Sequence, residues 1–259
     1  MSLFKPVSIK KVFESKKIVH YYACLKDLQK PEETILNNLK HTLKDSRMLD
    51  IGVGGGRTTC YFSGLSKEYV GIDFSENMIK ICRENYPEEE NRIFRICDVR
   101  SMKIFEDNYF DFILFSCNGI DNLSHGDRLV ALNEIKRVCK KGGFFCFSTH
   151  NLQSIDKLLK IGFSKNPVLV TKNILKYFLL LILNEKFGKL KNKKFAMINS
   201  GPYRFKFKRY YIQPEEQISQ LSCAGFKNIK IYLLNGKEAV DQSTLNTIKD
   251  HWLYYLCNA

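Results

Sequence analysis

The chain has 259 residues, a net charge of +14, 44% apolar and 26% charged residues, which is the composition of a globular protein with one large domain or two small ones. Its longest uncharged apolar run, residues 177–183, is much shorter than the roughly 20 residues of a membrane span, and the N-terminus lacks an apolar signal core. Nine scattered cysteines without a Cys-x-x-Cys pair argue against a disulfide framework or a zinc site. We therefore expect a cytoplasmic protein with no bound metal.

Alternating helices and strands dominate the first 150 residues. Apolar residues at helical spacing predict a helix within residues 21–43, with its start at Pro31. The segments that then follow in turn are strand 48–51, helix 57–65, strand 68–73, helix 75–86, strand 92–97, strand 110–116, helix 127–139, a turn at 141–143 and strand 144–149. This alternation predicts a parallel sheet. Residues 151–212 break the rhythm, and the predicted helix 214–224 and strands 229–234 and 252–257 complete the chain.

The most informative segment is the glycine-rich turn after the first strand. Asp50, Gly52, Gly54 and Gly56 occupy every second position there. Glycine has no Cβ and tolerates positive φ, so such a turn brings bare backbone close to a ligand. The turn therefore predicts a nucleotide-like cofactor at the first strand.

Acidic residues end the next two strands. Asp73 follows Asp50 by 23 positions, at the place where a carboxylate accepts ribose hydroxyls in dinucleotide-binding folds, and Asp98 follows by a further 25. In an open parallel sheet the ligand lies outside the carboxyl ends of the strands, so these residues point into one cleft. A dinucleotide site is the alternative, although it prefers a Gly-x-Gly-x-x-Gly turn. Asp98 also fits an ordinary turn residue.

Taken in order, these motifs resemble the class I S-adenosylmethionine-dependent methyltransferases. The resemblance rests on Leu-Asp-Ile-Gly-Val-Gly-Gly-Gly-Arg, Val-Gly-Ile-Asp-Phe-Ser-Glu-Asn-Met, Cys-Asp-Val, Phe-Asp-Phe-Ile-Leu-Phe and Arg-Val-Cys-Lys-Lys-Gly-Gly, within residues 45–150, and is weaker over 210–259. It implies an α/β fold, a seven-stranded Rossmann-like sheet whose last strand is antiparallel. It also implies one domain over residues 1–259, with an N-terminal cap at 1–45 and a lid at 151–212. The cofactor would be S-adenosylmethionine and the product S-adenosylhomocysteine.

The resemblance implies a role for each residue of the turn. Gly52, Gly54 and Gly56 would pass beneath the amino-acid end of the cofactor, and Asp50 would orient this loop or only shape it. Asp73 would accept hydrogen bonds from the ribose hydroxyls.

Further residues would surround the adenine and the methionine part. By resemblance, Phe74 and Met78 would flank the adenine, and Asp98 with Val99 would meet its edge. Asn118 would lie near the methionine part. For Arg57, pairing with a carboxylate of cofactor or substrate and an ordinary exposed position are equally open.

Methyl transfer requires alignment of nucleophile, methyl group and sulfur, and a general base only where the nucleophile must lose a proton. The candidates for such a group are His150, Asp121 and Tyr22, although a lone histidine is usually structural or solvated. Residues 116–121 lack the Asp/Asn-Pro-Pro-aromatic motif of base-amino methylases, and the chain has no Pro-Cys pair.

Most of the positive charge lies in residues 151–212, which hold 14 lysines and arginines against 2 acidic residues, a net charge of +12. Within this segment a helical spacing gives one apolar face that is either buried or lipid-facing: Ile174, Tyr177, Phe178, Leu181 and Ile182. Residues 203–208 alternate aromatic and cationic side chains, which as a strand would separate the two kinds on opposite faces. The segment is interpreted as a lid with a solvated basic face, or as a surface for an anionic substrate, RNA or a membrane.

These observations favour methyl transfer to an oxygen or nitrogen atom of a small or medium-sized acceptor, anionic acceptors included. The alternatives are an RNA methyltransferase that uses the basic insertion, and a non-catalytic cofactor-binding module.

Overall fold

The described part of the computed structural model, residues 8–160, 165–239 and 242–259, contains nine strands joined in one mixed sheet. The strands are β1 Arg47–Ile51, β2 Glu68–Asp73, β3 Arg92–Ile96, β4 Phe110–Phe115, β5 Cys139–Asn151, β6 Phe195–Ile198, β7 Arg209–Ile212, β8 Lys227–Tyr232 and β9 Trp252–Asn258. The helices are α1 Ile9–Phe13, α2 Lys16–Ala23, α3 Lys30–Leu43, α4 Thr59–Phe62, α5 Glu76–Asn85, α6 His125–Val138, α7 Pro167–Leu183, α8 Phe187–Lys191, α9 Pro202–Phe205 and α10 Pro214–Cys223. Short 3-10 helices cover Gly119–Asn122, Leu152–Leu159 and Gln242–Thr247.

The central sheet confirms the α/β fold that the sequence predicts. Strands β3, β2, β1, β4 and β5 are parallel in that order, β9 runs antiparallel along β5, and β8 pairs antiparallel with β9. Both faces are apolar, because successive residues such as Met48 and Leu49 enter two separate buried clusters on opposite sides. Because β1 to β4 are parallel, their carboxyl ends lie at the same edge of the sheet.

A hairpin from the insertion adds two strands beyond the predicted seven. β7 pairs in parallel with the last two residues of β5, His150 and Asn151, and β6 pairs antiparallel with β7. The described part of the insertion has its own small core, which includes Leu152, Leu180 and Ile198. The insertion thus extends the sheet at the end where the candidate site lies.

Residues 203–208 do not form the strand that would separate their aromatic and cationic side chains. Pro202–Phe205 is the short helix α9, and the strand begins only at Arg209. The chain turns sharply at this point, since Gly201 has φ +98° and Tyr203 and Phe205 also have positive φ. The side-chain amide of Asn199 donates to the carbonyl of Phe205 at 2.8 Å, which closes the turn.

Two other bounds differ from the predictions for local reasons. Helix α4 has only four residues, since the glycine turn extends through residues 52–58 before a helix can start. Strand β5 begins at Cys139 and includes the predicted turn at Gly142 and Gly143. Gly142 has φ +78° and donates its N–H to the carbonyl of Ala259, so the strand continues across an irregularity. Among the described residues, no helix combines the length and apolar character needed to cross a bilayer.

Candidate active site

A cavity of about 700 Å³ opens at the carboxyl ends of β1 to β4. Its wall comes from the glycine turn and from the residues that follow β2, β3 and β4, while α1, Tyr22 of α2 and Met197 of β6 close it from the other side. Eight of the predicted site residues line it: Tyr22, Gly52, Gly54, Asp73, Phe74, Met78, Asp98 and Val99.

The glycine turn has the backbone that its sequence predicts. Gly52, Gly54 and Gly56 have φ of +67°, +56° and +89°. A Cβ on Gly55 would lie 2.5 Å from the Cα of Ala23, so helix α2 packs directly on the turn. Gly52 and Gly54 line the cavity, whereas Gly56 faces the ring of Tyr86.

The carboxylate of Asp73 lies at the centre of the wall. It accepts hydrogen bonds from the backbone N–H groups of Gly54 at 3.1 Å and Ser75 at 2.9 Å. Burial raises its pKa to about 6, against the lowering effect of these two donors. The geometry fixes the carboxylate and leaves further acceptor capacity on each oxygen toward the cavity.

Asp50 is turned away from the cavity. Its Oδ2 accepts hydrogen bonds from the hydroxyls of Thr58 at 2.5 Å and Tyr69 at 2.6 Å. Burial raises its pKa to about 6. This placement agrees with the loop-shaping interpretation, because Thr58 is the last residue of the glycine turn.

Arg57 forms a buried ion pair, so the exposed position expected for it is wrong. Its guanidinium donates to both carboxylate oxygens of Glu32, each at 2.7 Å, and to the carbonyl of Asp27 at 2.9 Å. Glu32 also accepts from Ser116 and from the hydroxyl of Tyr254. The pair joins α3 to the end of the glycine turn, a position that fits a structural role.

The predicted adenine residues surround one end of the cavity. Phe74, Met78 and Val99 line it together. The carboxylate of Asp98 also lies there, but Arg100 donates three hydrogen bonds from its side chain to it, the shortest at 2.6 Å. These bonds lower the pKa of Asp98. Its carboxylate is therefore ionised and already partnered.

Asn118 lies just behind the cavity wall. It has φ +55°, its N–H donates to the hydroxyl of Ser148 at 2.8 Å, and its neighbours Cys117 and Gly119 line the cavity. Its side-chain nitrogen lies 3.5 Å from Nε2 of His150. Its buried Oδ1 has no hydrogen-bond partner among the described residues.

His150 and Asp121 form a buried pair that does not line the cavity. Oδ2 of Asp121 accepts from the backbone N–H of His150 at 2.7 Å and lies 2.6 Å from its Nδ1. Its Oδ1 accepts from Arg128 at 2.8 Å and from Thr149 at 2.5 Å. A carboxylate with four donors orients the imidazole, and Nε2 reaches the wall only through Asn118.

Tyr22 belongs to the cover of the cavity. Its hydroxyl and that of Tyr203 lie 2.7 Å apart, which joins α2 to the insertion. The ring of Phe13 contacts Tyr22, Phe74 and Tyr203, with centroid separations of 5.8–5.9 Å. Burial raises the pKa of Tyr22, so its phenol is protonated at physiological pH.

Sequence reasoning missed four residues that build this site: Glu32, Arg128, Phe13 and Met197. Arg128 carried a signal, because it shares one helical face with Ala131, Leu132 and Ile135 at spacings of 3, 4 and 7. A cation on an apolar face implies a buried partner. The other three carried none, since their partners are distant in the chain.

Comparison with known proteins agrees with this geometry. A methyltransferase domain family model matches residues 49–147. A demethylmenaquinone methyltransferase from Staphylococcus haemolyticus is 30% identical over 210 residues, which cover 76% of this chain and 77% of that protein. An S-adenosylmethionine-dependent methyltransferase structure from Clostridium acetobutylicum superposes with a TM-score of 0.63 at 15% identity, covering 93% of this chain and 97% of that one. Another from Mesorhizobium loti gives 0.60 at 13% identity, covering 87% and 98%.

The sheet order and the glycine turn define a Rossmann-like cofactor-binding enzyme. The sequence identity to the Staphylococcus enzyme, over three quarters of both chains, shows the family: the chain belongs to the class I S-adenosylmethionine-dependent methyltransferases.

Proposed function

We propose that this enzyme methylates a small or medium-sized acceptor, at least partly apolar and aromatic, at an oxygen or nitrogen atom. The observation that carries the proposal is the covered cavity of about 700 Å³, whose wall includes Phe13, Tyr22, Phe74 and Phe115. Cavities of this size hold a cofactor with a small ligand, and aromatic walls favour flat apolar groups. The similarity to demethylmenaquinone methyltransferases supports a small-molecule acceptor.

The residues present fit S-adenosylmethionine. Gly52 and Gly54 line the cavity with positive φ and without a Cβ, so their backbone allows close approach of a ligand. Asp73 offers acceptor capacity for ribose hydroxyls, and Phe74 with Met78 offers apolar surface for the adenine. When bound, the cofactor supplies an electrophilic methyl group on a sulfonium.

Around the acceptor, the residues that cover the cavity would exclude water and orient the acceptor. The bond between Tyr22 and Tyr203 joins the N-terminal cover to the insertion, and Phe13 fills the space between them. No histidine lines the cavity among the described residues, and the phenol of Tyr22 remains protonated. We therefore assign Tyr22, His150 and Asp121 positioning roles. The requirement that these residues can meet is alignment of the nucleophile with the methyl group and the sulfur.

The test uses purified enzyme, radiolabelled methyl donor and a fractionated cell extract. We expect label in the small-molecule fraction that partitions into organic solvent. Asp73→Asn should abolish this labelling, whereas Asp107→Asn, which alters an exposed ion pair with Arg137, should not. Label confined to RNA would contradict the proposal and support an enzyme that uses the basic insertion.

A second variant separates the acceptor side from the cofactor side. Tyr22→Phe removes the hydroxyl that bonds Tyr203 and keeps the ring. We expect methyl transfer to fall while calorimetric affinity for S-adenosylmethionine changes little. Donor binding without any transfer by the wild type would instead support a non-catalytic module.

A further inference from the structure

Helix α7 exposes a continuous apolar face. The structure describes all 17 residues of Pro167–Leu183, and Leu180 alone is buried. Ile174, Phe178, Leu181 and Ile182, at helical spacings of 0, 4, 7 and 8, are 40%, 54%, 42% and 63% exposed, and Leu175 beside them is 59% exposed. Helical geometry places these five side chains on one side of the helix. Folded proteins rarely leave such a patch in water without a partner for it.

Cations lie on the other side of α7 from this face and beyond the end of the helix. Lys172 and Lys176 are exposed on α7 itself. Beyond its end, Nζ of Lys193 lies 2.8 Å from both carboxylate oxygens of Glu185. Lys189 and Lys208 are exposed as well, and their charges, after that of Lys193, help to lower the pKa of Glu185. Cations thus gather from α7, from α8 and from the segment before β7.

We propose that α7 and its surrounding lysines dock this enzyme on the surface of an anionic lipid bilayer. An amphipathic helix with apolar and cationic parts lies in the plane of a membrane interface, with its apolar face in the acyl boundary and its lysines at the headgroups. Negative headgroups complement the net charge of +12 on residues 151–212. The helix lies on the bilayer and does not cross it, since no described helix meets the length of a span.

The combination of positive charge and exposed apolar surface favours an anionic bilayer over other partners. A nucleic acid would satisfy the lysines and leave Phe178 and Ile182 in water. A second copy of the chain would cover the apolar face but would bring an equal positive charge against Lys172, Lys176 and Lys189. An anionic bilayer satisfies both features.

The docking helix is connected to the cover of the cavity. Asn184, directly after α7, donates to the carbonyls of Leu180 and Asn199 and accepts from the N–H of Asn199, with all three bonds at 2.8–2.9 Å. Asn199 lies two residues after Met197, which lines the cavity. Docking would therefore bring the cover of the cavity to the bilayer. This part of the inference rests on the proposed function, and it gives the acceptor a class: a molecule dissolved in the membrane.

The test is co-sedimentation of the full chain, without cofactor, with vesicles of phosphatidylcholine alone or mixed with phosphatidylglycerol. We expect binding to the anionic vesicles, weakened by salt, and little binding to the neutral ones. The double variant Phe178→Ser with Ile182→Ser should bind at least tenfold more weakly. Ile104→Ser, a matched change at a side chain that is 60% exposed elsewhere, should bind as the wild type does.

A second set of variants tests the contribution of the lysines. Lys189→Gln with Lys208→Gln should weaken binding to the anionic vesicles, and Lys67→Gln, at an exposed lysine before β2, should not. Absence of binding to anionic vesicles would overturn the proposal, as would equal binding by the apolar double variant. A dimer in light scattering that the double variant abolishes would overturn it in favour of a second copy. Because these measurements need no methyl donor, their failure is distinct from failure of the proposed function.

Discussion

Protonation of Asp73 should control cofactor affinity between pH 7 and pH 5. Its carboxylate has a pKa of about 6, raised by burial, so it takes up a proton as the pH falls through that value. In the proposed site the ionised form would accept hydrogen bonds from the ribose hydroxyls, whereas the neutral form would lose acceptor capacity. The ionised fraction falls about tenfold over this range, so the association constant should fall about tenfold, or about 1.4 kcal/mol.

The assay is titration calorimetry with S-adenosylmethionine at several pH values. Neither the α-amino group of the ligand, with a pKa of about 7.7–8.0, nor its carboxyl, at about 3.3–3.7, changes much over the range. Binding favours the ionised form of Asp73, so at pH 6 it should release about half a proton, which the dependence of the heat on the buffer reveals. An affinity that is constant from pH 7 to pH 5 would refute this reasoning.

Two variants identify the titrating group. Asp50 has the same raised pKa but faces Thr58 and Tyr69, so Asp50→Asn should keep the pH dependence of binding. Asp73→Asn should lose it, together with two charge-assisted hydrogen bonds worth about 1.5–3 kcal/mol each. That loss corresponds to a decrease in affinity of roughly a hundredfold or more. If Asp50→Asn lost the pH dependence instead, Asp50 and not Asp73 would be the titrating group, which would contradict the prediction.

Further predictions concern stability and are measured by chemical denaturation. Glu32→Gln leaves the buried guanidinium of Arg57 without its anion and should lower the free energy of unfolding by about 3–5 kcal/mol, while Glu33→Gln, in an exposed pair, should change it by less than about 1 kcal/mol. Gly56→Ala should cost about 1–3 kcal/mol, since φ is +89° and a Cβ would lie 2.6 Å from a tyrosine ring. Gly126→Ala, in α6 with open space around it, should stabilise by up to about 1 kcal/mol. If Glu32→Gln and Glu33→Gln, or Gly56→Ala and Gly126→Ala, changed the free energy of unfolding equally, the difference in burial between their sites would not explain the effects on stability.

The sequence by itself determined the order of strands and helices and the cofactor turn. These features depend on local chemistry. Apolar runs predict buried strands, and alternating glycines predict a left-handed backbone, which Gly52, Gly54 and Gly56 show. Asp73 was predicted to face the ligand because the end of a strand determines the edge of the sheet at which its side chain lies.

Only the tertiary structure decided which groups remain available to a ligand. Arg57 is paired with Glu32, 25 positions before it, and Glu32 also bonds Tyr254, which lies 222 positions after Glu32. Similarly, His150 lies behind the wall because Asp121 and Asn118 hold it there. Such partners depend on how distant segments pack, and the spacing of residues along one segment carries no information about them.

In the insertion, too, the sequence determined one part and the tertiary structure another. The helical spacing of Ile174, Phe178, Leu181 and Ile182 was legible in the sequence and left two environments open, buried or lipid-facing. The fold left this face exposed, because the small core of the insertion takes only Leu180 from α7. Periodicity determines which side chains share a face, and only packing determines whether the protein itself covers that face.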